Sequence, residues 1–282
     1  MADGSIVPLL KWPGGKRRLA PLIELAFSAS CEAVYREPFV GAGAVFLHRA
    51  SQGRVRSAFL SDINEKVVNF HRVVRDQADD LLLELSRLPV EQVEEKAYYD
   101  IRTAYNAEWC GGPRHAAKLL WLNKACYNGL FRENRFGHLN AAWNHEAAVS
   151  LPTEAHVRAV SALLQLAEIE TLDFQDALAR CGAGDHVYCD PPYLGSASAF
   201  TTYSQGGFDR GDHESLASMI SEVRRDPGAT VVVSGAGGEE GEYVYRELEL
   251  HTMTSAVRVI SRGARRAAAE HVWVGRPTGG EG

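Results

Sequence analysis

Long apolar runs are missing from the 282-residue sequence. None approaches the roughly 18 residues that a membrane-spanning helix needs. The first residues, Met1 to Ser5, carry neither the basic region nor the apolar stretch of a signal peptide. Cysteine is scarce as well. The five residues Cys31, Cys110, Cys126, Cys181 and Cys189 are odd in number, widely spaced and without a Cys-x-x-Cys pair. That pattern excludes a disulfide framework and a thiolate zinc site. The histidines are scattered with no His-x-x-x-His pair, so no metal ligand is assigned. A cytoplasmic protein with reduced thiols is expected.

A surplus of positive charge is also absent, the net charge being −6. Taken as an average this speaks mildly against a nucleic-acid partner, but such a partner needs only a local basic footprint. Three stretches could supply one. They are Lys11, Lys16, Arg17 and Arg18; then Arg114, Lys118, Lys124, Arg132 and Arg135; then Arg258, Arg262, Arg265 and Arg266. Each reads equally as a solvated surface.

What the chain does contain is the balance of a globular protein, 45% hydrophobic and 23% charged. Short apolar runs ending in Gly, Asp or Pro alternate with amphipathic stretches, the rhythm of an α/β fold with a mainly parallel sheet. Strands are expected at Ala33–Tyr35, Ser57–Leu60, Ile169–Thr171, His186–Cys189, Thr230–Val233, Leu250–Ser255 and His271–Val274. The last two leave no room for a crossover helix and should form an antiparallel hairpin. Helices are expected at Val45–Arg49, Glu65–Arg75, Pro113–Ala125, Glu154–Leu164, Asp212–Arg224 and Tyr243–Glu247. Residues 76–148 show helical patterns and a polar loop but no strand, and read as an insertion between 1–75 and 149–282.

Four motifs carry chemistry. In Glu37-Pro38-Phe39-Val40-Gly41-Ala42-Gly43, glycines follow a strand and open a helix, so backbone can approach a ligand closely. About twenty residues on, Asp62-Ile63 ends the next strand, where a carboxylate suits two ribose hydroxyls. A tight turn and a helix cap would look the same. Asp190-Pro191-Pro192-Tyr193 follows the apolar strand Val187-Tyr188-Cys189. Prolines stiffen that loop and leave carbonyls free. Asp190 with the Pro191 carbonyl could accept both N–H bonds of an exocyclic amine, and Tyr193 offers a face for an extruded base. Near the N-terminus, Lys11-Trp12-Pro13-Gly14-Gly15-Lys16 could cover a purine with Trp12 and hold an anion with Lys16. In the insertion, Lys124, Tyr127, Asn128, Arg132 and Asn134 make a kit for wedging a duplex and reading base edges. Asp173-Phe174, just past a strand, could bracket a cofactor's adenine, and Ser234-Gly235 marks another expected strand end.

Taken in order, these blocks resemble the Dam-type family of DNA adenine methyltransferases. The matching segments are 11–16, 37–43, 62–64, 123–134 and 187–193, with Phe200-Thr-x-Tyr203 and Phe208, His213 and Leu216 following. The resemblance implies a Rossmann-like sheet of seven strands with a small helical recognition insertion. It implies S-adenosyl-L-methionine as cofactor, held by Trp12, Lys16, Asp62 and Asp190 above the Gly41–Gly43 loop. Double-stranded DNA is the implied partner, with Asp190 to Tyr193 holding a flipped adenine and Arg132 reading a guanine edge, as in members that recognise GATC. Direct in-line methyl transfer without a covalent enzyme intermediate is expected. A restriction endonuclease is left open as a second partner, and a monomer or weak dimer is expected. The chain departs from the family at Lys124, at Leu139 to Asn144, at Gly235 and at Arg262-Gly263-Ala264, which leaves the target sequence open. A glutamine methyltransferase, an RNA adenine methyltransferase and a DNA-binding regulator without catalysis are the competing readings.

Overall fold

The computed structural model describes residues 6–12, 14–27, 32–107, 109–129, 132–134, 136–193, 208–236, 238–255 and 268–278. Pro13, Cys31, Arg135, the Phe200–Tyr203 block and the Arg258–Arg266 group lie outside them, and nothing is described of the Asn128 side chain.

Seven strands form one sheet: β1 (Tyr35–Glu37), β2 (Ala58–Asp62), β3 (Ala167–Thr171), β4 (His186–Cys189), β5 (Thr230–Ala236), β6 (Glu249–Ser255) and β7 (Ala268–Gly275). Their order is β3-β2-β1-β4-β5-β7-β6. Pairings are parallel from β3 to β5, and β7 runs antiparallel to both β5 and β6. The expected C-terminal hairpin forms, with its second strand inserted next to β5.

The residue patterns explain the placement. β4 is buried at every position, as a central parallel strand covered on both faces must be. β3 alternates between buried Ala167 and Ile169 and outward Glu168 and Glu170, which suits an edge whose charges discourage further pairing. Along β5 and β7, Val231, Val233 and Trp273 face one apolar cluster while Val232, Val272 and Val274 face the other. Helices therefore cover both sides of the sheet. On the first side lie α1 (Ala20–Glu24), α2 (Ala44–Ser51), α3 (Glu65–Asp76) and α7 (Glu154–Leu164), together with α4 (Ala78–Ser86), α5 (Glu95–Ala107) and α6 (Gly112–Ala125). On the second lie α8 (Phe174–Leu178), α9 (Arg210–Arg225) and α10 (Glu239–Val244).

Two expected elements shift. The first strand runs Tyr35–Glu37 rather than Ala33–Tyr35, and the buried Glu37 at its end is satisfied by the Tyr35 hydroxyl at 2.8 Å and the Phe46 N–H at 3.1 Å. A carboxyl bonded in this way can complete a buried strand, which its polarity alone argues against. The last helix runs Glu239–Val244, not Tyr243–Glu247, and Tyr245 only caps it. Ser234 lies inside β5 rather than at its end, since pairing with β7 extends that strand to Ala236.

Residues 76–148 contain three helices and, among the described residues, only isolated bridges at Cys126–Trp143 and Glu133–Leu139. Their apolar faces share the core of the sheet. Leu81, Leu85, Tyr98, Leu120 and Trp121 belong to the same cluster as Tyr35 and Leu60.

Because Leu120 in α6 is fully buried within that shared cluster, Leu120→Ala should destabilise the protein by about 3 kcal/mol. Urea unfolding followed by circular dichroism measures it. A cost under about 1 kcal/mol would show that α6 packs outside the common core.

Candidate active site

The chain runs outward from β1 through β2 to β3, then returns beside β1 at β4. Such a reversal opens a crevice at the carboxyl ends of the strands. A cavity of about 250 Å³ lies there. Pro38, Phe39, Gly41 and Ala42 line it from the loop after β1, and Asp62 and Ile63 from the end of β2. Asp173 and Phe174 follow β3, Asp190 to Tyr193 follow β4, and Trp12, Gly15 and Lys16 close the remaining side. Residues from five separate sequence blocks thus share one wall. Lys11 and Gly43 are not part of that lining.

The floor depends on two glycines. Gly41 has φ +46°, and a Cβ there would come within 2.8 Å of Trp12 Nε1, so the indole rests directly on it. Gly43, at φ +69°, caps the start of α2. The Gly41 carbonyl accepts from His71 Nε2 at 2.7 Å, and its N–H donates to Asp62 Oδ2 at 3.0 Å. Asp62 also receives the Asn64 N–H at 2.9 Å. Burial pushes the Asp62 carboxyl up, and these backbone donors oppose the shift. Phe39 stacks on Phe174 at 5.7 Å between centroids, with Phe208 edge-on to both. Asp173 directs its side chain to the Gln175 N–H, capping α8.

At the opposite end stands Asp190. Its Oδ1 accepts from Ser234 Oγ at 2.9 Å, and Ser234 is bonded to the Tyr188 hydroxyl at 2.7 Å. The Lys16 ammonium lies 2.7 Å from Oδ1 and 2.9 Å from Oδ2, and also reaches the Tyr193 hydroxyl at 3.0 Å. Glu270 of β7 completes the group, 3.2 Å from Lys16 and accepting from the Tyr193 hydroxyl at 3.0 Å. Burial pushes the Asp190 carboxyl up, while Lys16 pulls it back.

A second surface adjoins the cavity. Asn123 of α6 bonds both the N–H and the carbonyl of Lys11 at 2.8 Å, and donates to the Gly129 carbonyl at 3.2 Å. The Lys11 stem lies against Gly129, where a Cβ would overlap it. Tyr127 in this turn is exposed, and Lys124 nearby has its ammonium pushed down to about 8 by burial and by Lys11. Arg132 donates to Asn140 Oδ1 at 2.7 Å, and the Asn134 side chain accepts the N–H groups of Phe136 and His138. Asn106 holds both backbone groups of Leu139 at 2.9 Å, and Lys66 pairs with Glu133. These bonds anchor the polar loop to α3 and α5.

Residues 12–260 match the family described as D12 class N6 adenine-specific DNA methyltransferases. The chain belongs to this family. It is 33% identical over 246 residues to a type II methyltransferase of Methanocaldococcus jannaschii, covering 82% of this chain and 85% of that protein. It is 31% identical to a DNA adenine methylase of Vibrio cholerae, with 90% and 89% covered. A type II methyltransferase of Lactococcus lactis is 28% identical over 270 residues, with 92% and 93% covered. The protein is thus an enzyme, an adenine-specific DNA methyltransferase. Among its described residues, no helix is long and apolar enough to cross a membrane.

Several polar groups that line this methyltransferase's cavity or bond to its lining carry little signal in the sequence. Ser234 was noted only as a strand end, and Glu37 only within the glycine block. Glu270 carried no local signal, because β7 reads as an ordinary strand. His71 was hidden within an amphipathic helix.

Glu37 supplies a test of the site's electrostatics. Burial, with Asp190 nearby, pushes its carboxyl up to about 8 against the hydrogen bonds from Tyr35 and Phe46. A folded state that prefers the protonated acid gains stability that is complete below the ordinary value of 4.5 and lost as pH rises through about 8. Glu37→Gln should flatten the decline in unfolding free energy across that window by about 1.4 kcal/mol per pH unit. Urea titrations at a series of pH values measure it, and an unchanged slope would place the Glu37 titration elsewhere.

Proposed function

We propose that the protein transfers a methyl group from S-adenosyl-L-methionine to the 6-amino group of an adenine flipped out of duplex DNA. One observation carries this reading. A single cavity joins the glycine loop and Asp62 to the Asp190–Tyr193 loop, so methyl donor and acceptor sites open into one space.

The lining fits the cofactor. Gly41 and Trp12 form a flat floor that any Cβ at position 41 would disrupt. Asp62 places a half-buried carboxylate where a ribose diol could donate to it, and Phe39 and Phe174 form an apolar wall for a purine. Trp12, Gly15, Lys16, Pro38, Ala42, Ile63 and Asp173 complete the proposed contacts. The bound cofactor supplies a sulfonium-activated methyl group.

The protein's part is to make a poor nucleophile attack. The adenine amine delocalises its lone pair into the ring. Accepting its N–H bonds at Asp190 and at the Pro191 carbonyl would localise that pair on nitrogen. Asp190 is prepared for this role. Among the described residues, Oδ1 receives Ser234 and Lys16 and Oδ2 receives Lys16, which leaves Oδ2 a lone pair for the incoming amine. Tyr193 would stack on the extruded base, and its hydroxyl, bonded to Lys16 and Glu270, limits how the ring can turn. The proton shed by the methylated amine passes to Asp190. Holding amine and methyl donor in line supplies much of the rate.

Residues 76–148 act, in this reading, as the target-recognition insertion on a catalytic domain of 1–75 and 149–282. Lys11, Lys124, Tyr127, Asn128, Arg132 and Asn134 would face DNA. The type II names of two relatives support a restriction–modification setting with a cognate endonuclease as partner. A cytoplasmic location and a GATC or related short target are part of the same proposal.

Asp190→Ala should lower methyl transfer to plasmid DNA by about a thousandfold while the fold, followed by circular dichroism, persists. Wild-type turnover in that variant, or plasmid without modified adenine on long-read sequencing after incubation with the wild type, overturns the assignment. Lys16→Met tests the pairing separately. Without the ammonium, burial and Glu270 push the Asp190 carboxyl up against the Ser234 hydrogen bond alone, so the acid limb of the rate profile should move to higher pH. An unmoved limb would show that Lys16 does not set the charge of Asp190.

A further inference from the structure

His213 lies in the first turn of α9 and is buried, yet it faces the back of the Asp190–Tyr193 loop. Its Nε2 is 2.9 Å from the Pro192 carbonyl oxygen, and its Nδ1 is 2.8 Å from the Tyr245 hydroxyl. A carbonyl oxygen only accepts, so Nε2 carries the hydrogen. With burial holding the ring neutral, Nδ1 is an acceptor and Tyr245 must donate to it. Tyr245 is itself buried, so the tautomer is held from behind. Phe208 sets its ring edge-on to the imidazole at 4.7 Å and lines the cavity on its other side.

The loop needs such a hold. Pro191 and Pro192 have no N–H groups, so neither can anchor the loop by donating a backbone hydrogen bond. The Pro192 carbonyl belongs to the peptide that joins Pro192 to Tyr193. Because a peptide unit is planar, fixing that oxygen also fixes the Tyr193 nitrogen and Cα, and with the hydroxyl held by Lys16 and Glu270 both ends of that residue are placed. Among the described residues no other group donates to the Pro192 carbonyl.

We propose that His213 is a positioning residue for methyl transfer: its Nε2–H, oriented by Tyr245, locks the Pro192 carbonyl and so aims Tyr193 at the extruded base. It touches no reacting atom. The inference rests on the assignment of Asp190 to Tyr193 as the catalytic loop.

The two amide residues separate positioning from packing. Glutamine can bring its amide nitrogen to the place of Nε2, whereas asparagine reaches only the place of Nδ1. His213→Gln should therefore keep kcat within about threefold of wild type, while His213→Asn and His213→Ala lose about tenfold or more. Cofactor affinity by calorimetry and KM for plasmid DNA should stay within about twofold in all three, because His213 lies behind the cavity lining and is not itself part of it. Tyr245→Phe, which frees the tautomer, should show a smaller loss in kcat of about threefold. Wild-type kcat in His213→Asn overturns the proposal. So does a His213→Gln variant as impaired as His213→Ala, or a loss in KM and cofactor affinity that parallels the loss in kcat. Failure of the underlying assignment looks different, since Asp190→Ala would then remain active whatever the His213 variants do.

Discussion

The arrangement of the site hangs on one ion pair, the buried Lys16 with the half-buried Asp190. The lysine is 4% exposed, and its ammonium reaches both carboxylate oxygens as well as Tyr193 and Glu270. Charges taken out of water are tolerable only when paired and hydrogen-bonded, and losing one partner leaves the other uncompensated. That requirement draws four segments together: the N-terminal turn, the end of β4, the middle of β5 through Ser234, and β7 through Glu270. Without them neither the buried ammonium nor the half-buried carboxylate at the strand end would be compensated. The proposed chemistry uses the same fact, because a carboxylate whose charge is already held by fixed donors needs no reorganisation when an amine arrives.

The loop expected to meet DNA is tied to this centre by two independent routes. Asn123 joins the backbone of Lys11, next to Trp12 on the cavity floor, to the Gly129 turn. Lys66 and Asn64 reach Glu133 and Gly137, and Asn64 directly follows the Asp62-Ile63 pair that lines the cavity. Neither route passes through a flexible surface contact, since Asn123 and Asn64 are both buried. The helices that carry the loop share the core of the sheet as well. A displacement of the loop would therefore be felt at the cavity wall, which is the physical basis for expecting recognition and transfer to be coupled.

Much of this was legible in the residues. The apolar runs at His186–Cys189 and Thr230–Val233, the alternation around Ala167–Thr171 and the patterning of Glu65–Asp76 and Glu154–Leu164 each encode their element within a few positions. Turn chemistry did the same for Gly41, Gly43 and the Asp190–Tyr193 loop, because a positive φ or a missing N–H is a property of the residue itself. What those elements do to one another was not encoded locally. Glu37 looked too polar for a buried strand until Tyr35 and Phe46 satisfied it. Ser234 looked like a strand end until β7 paired beyond it. Glu270, His213 and Asn123 gave no local sign of their partners, which lie 77 residues away at Tyr193, 21 at Pro192 and 112 at Lys11. The sequence by itself determined the fold class, the elements and the blocks that meet at the carboxyl ends of the strands. The tertiary structure alone decided which polar groups face one another there, because that depends on strand order and register, and a buried charge is permitted only by partners that the fold brings from far along the chain.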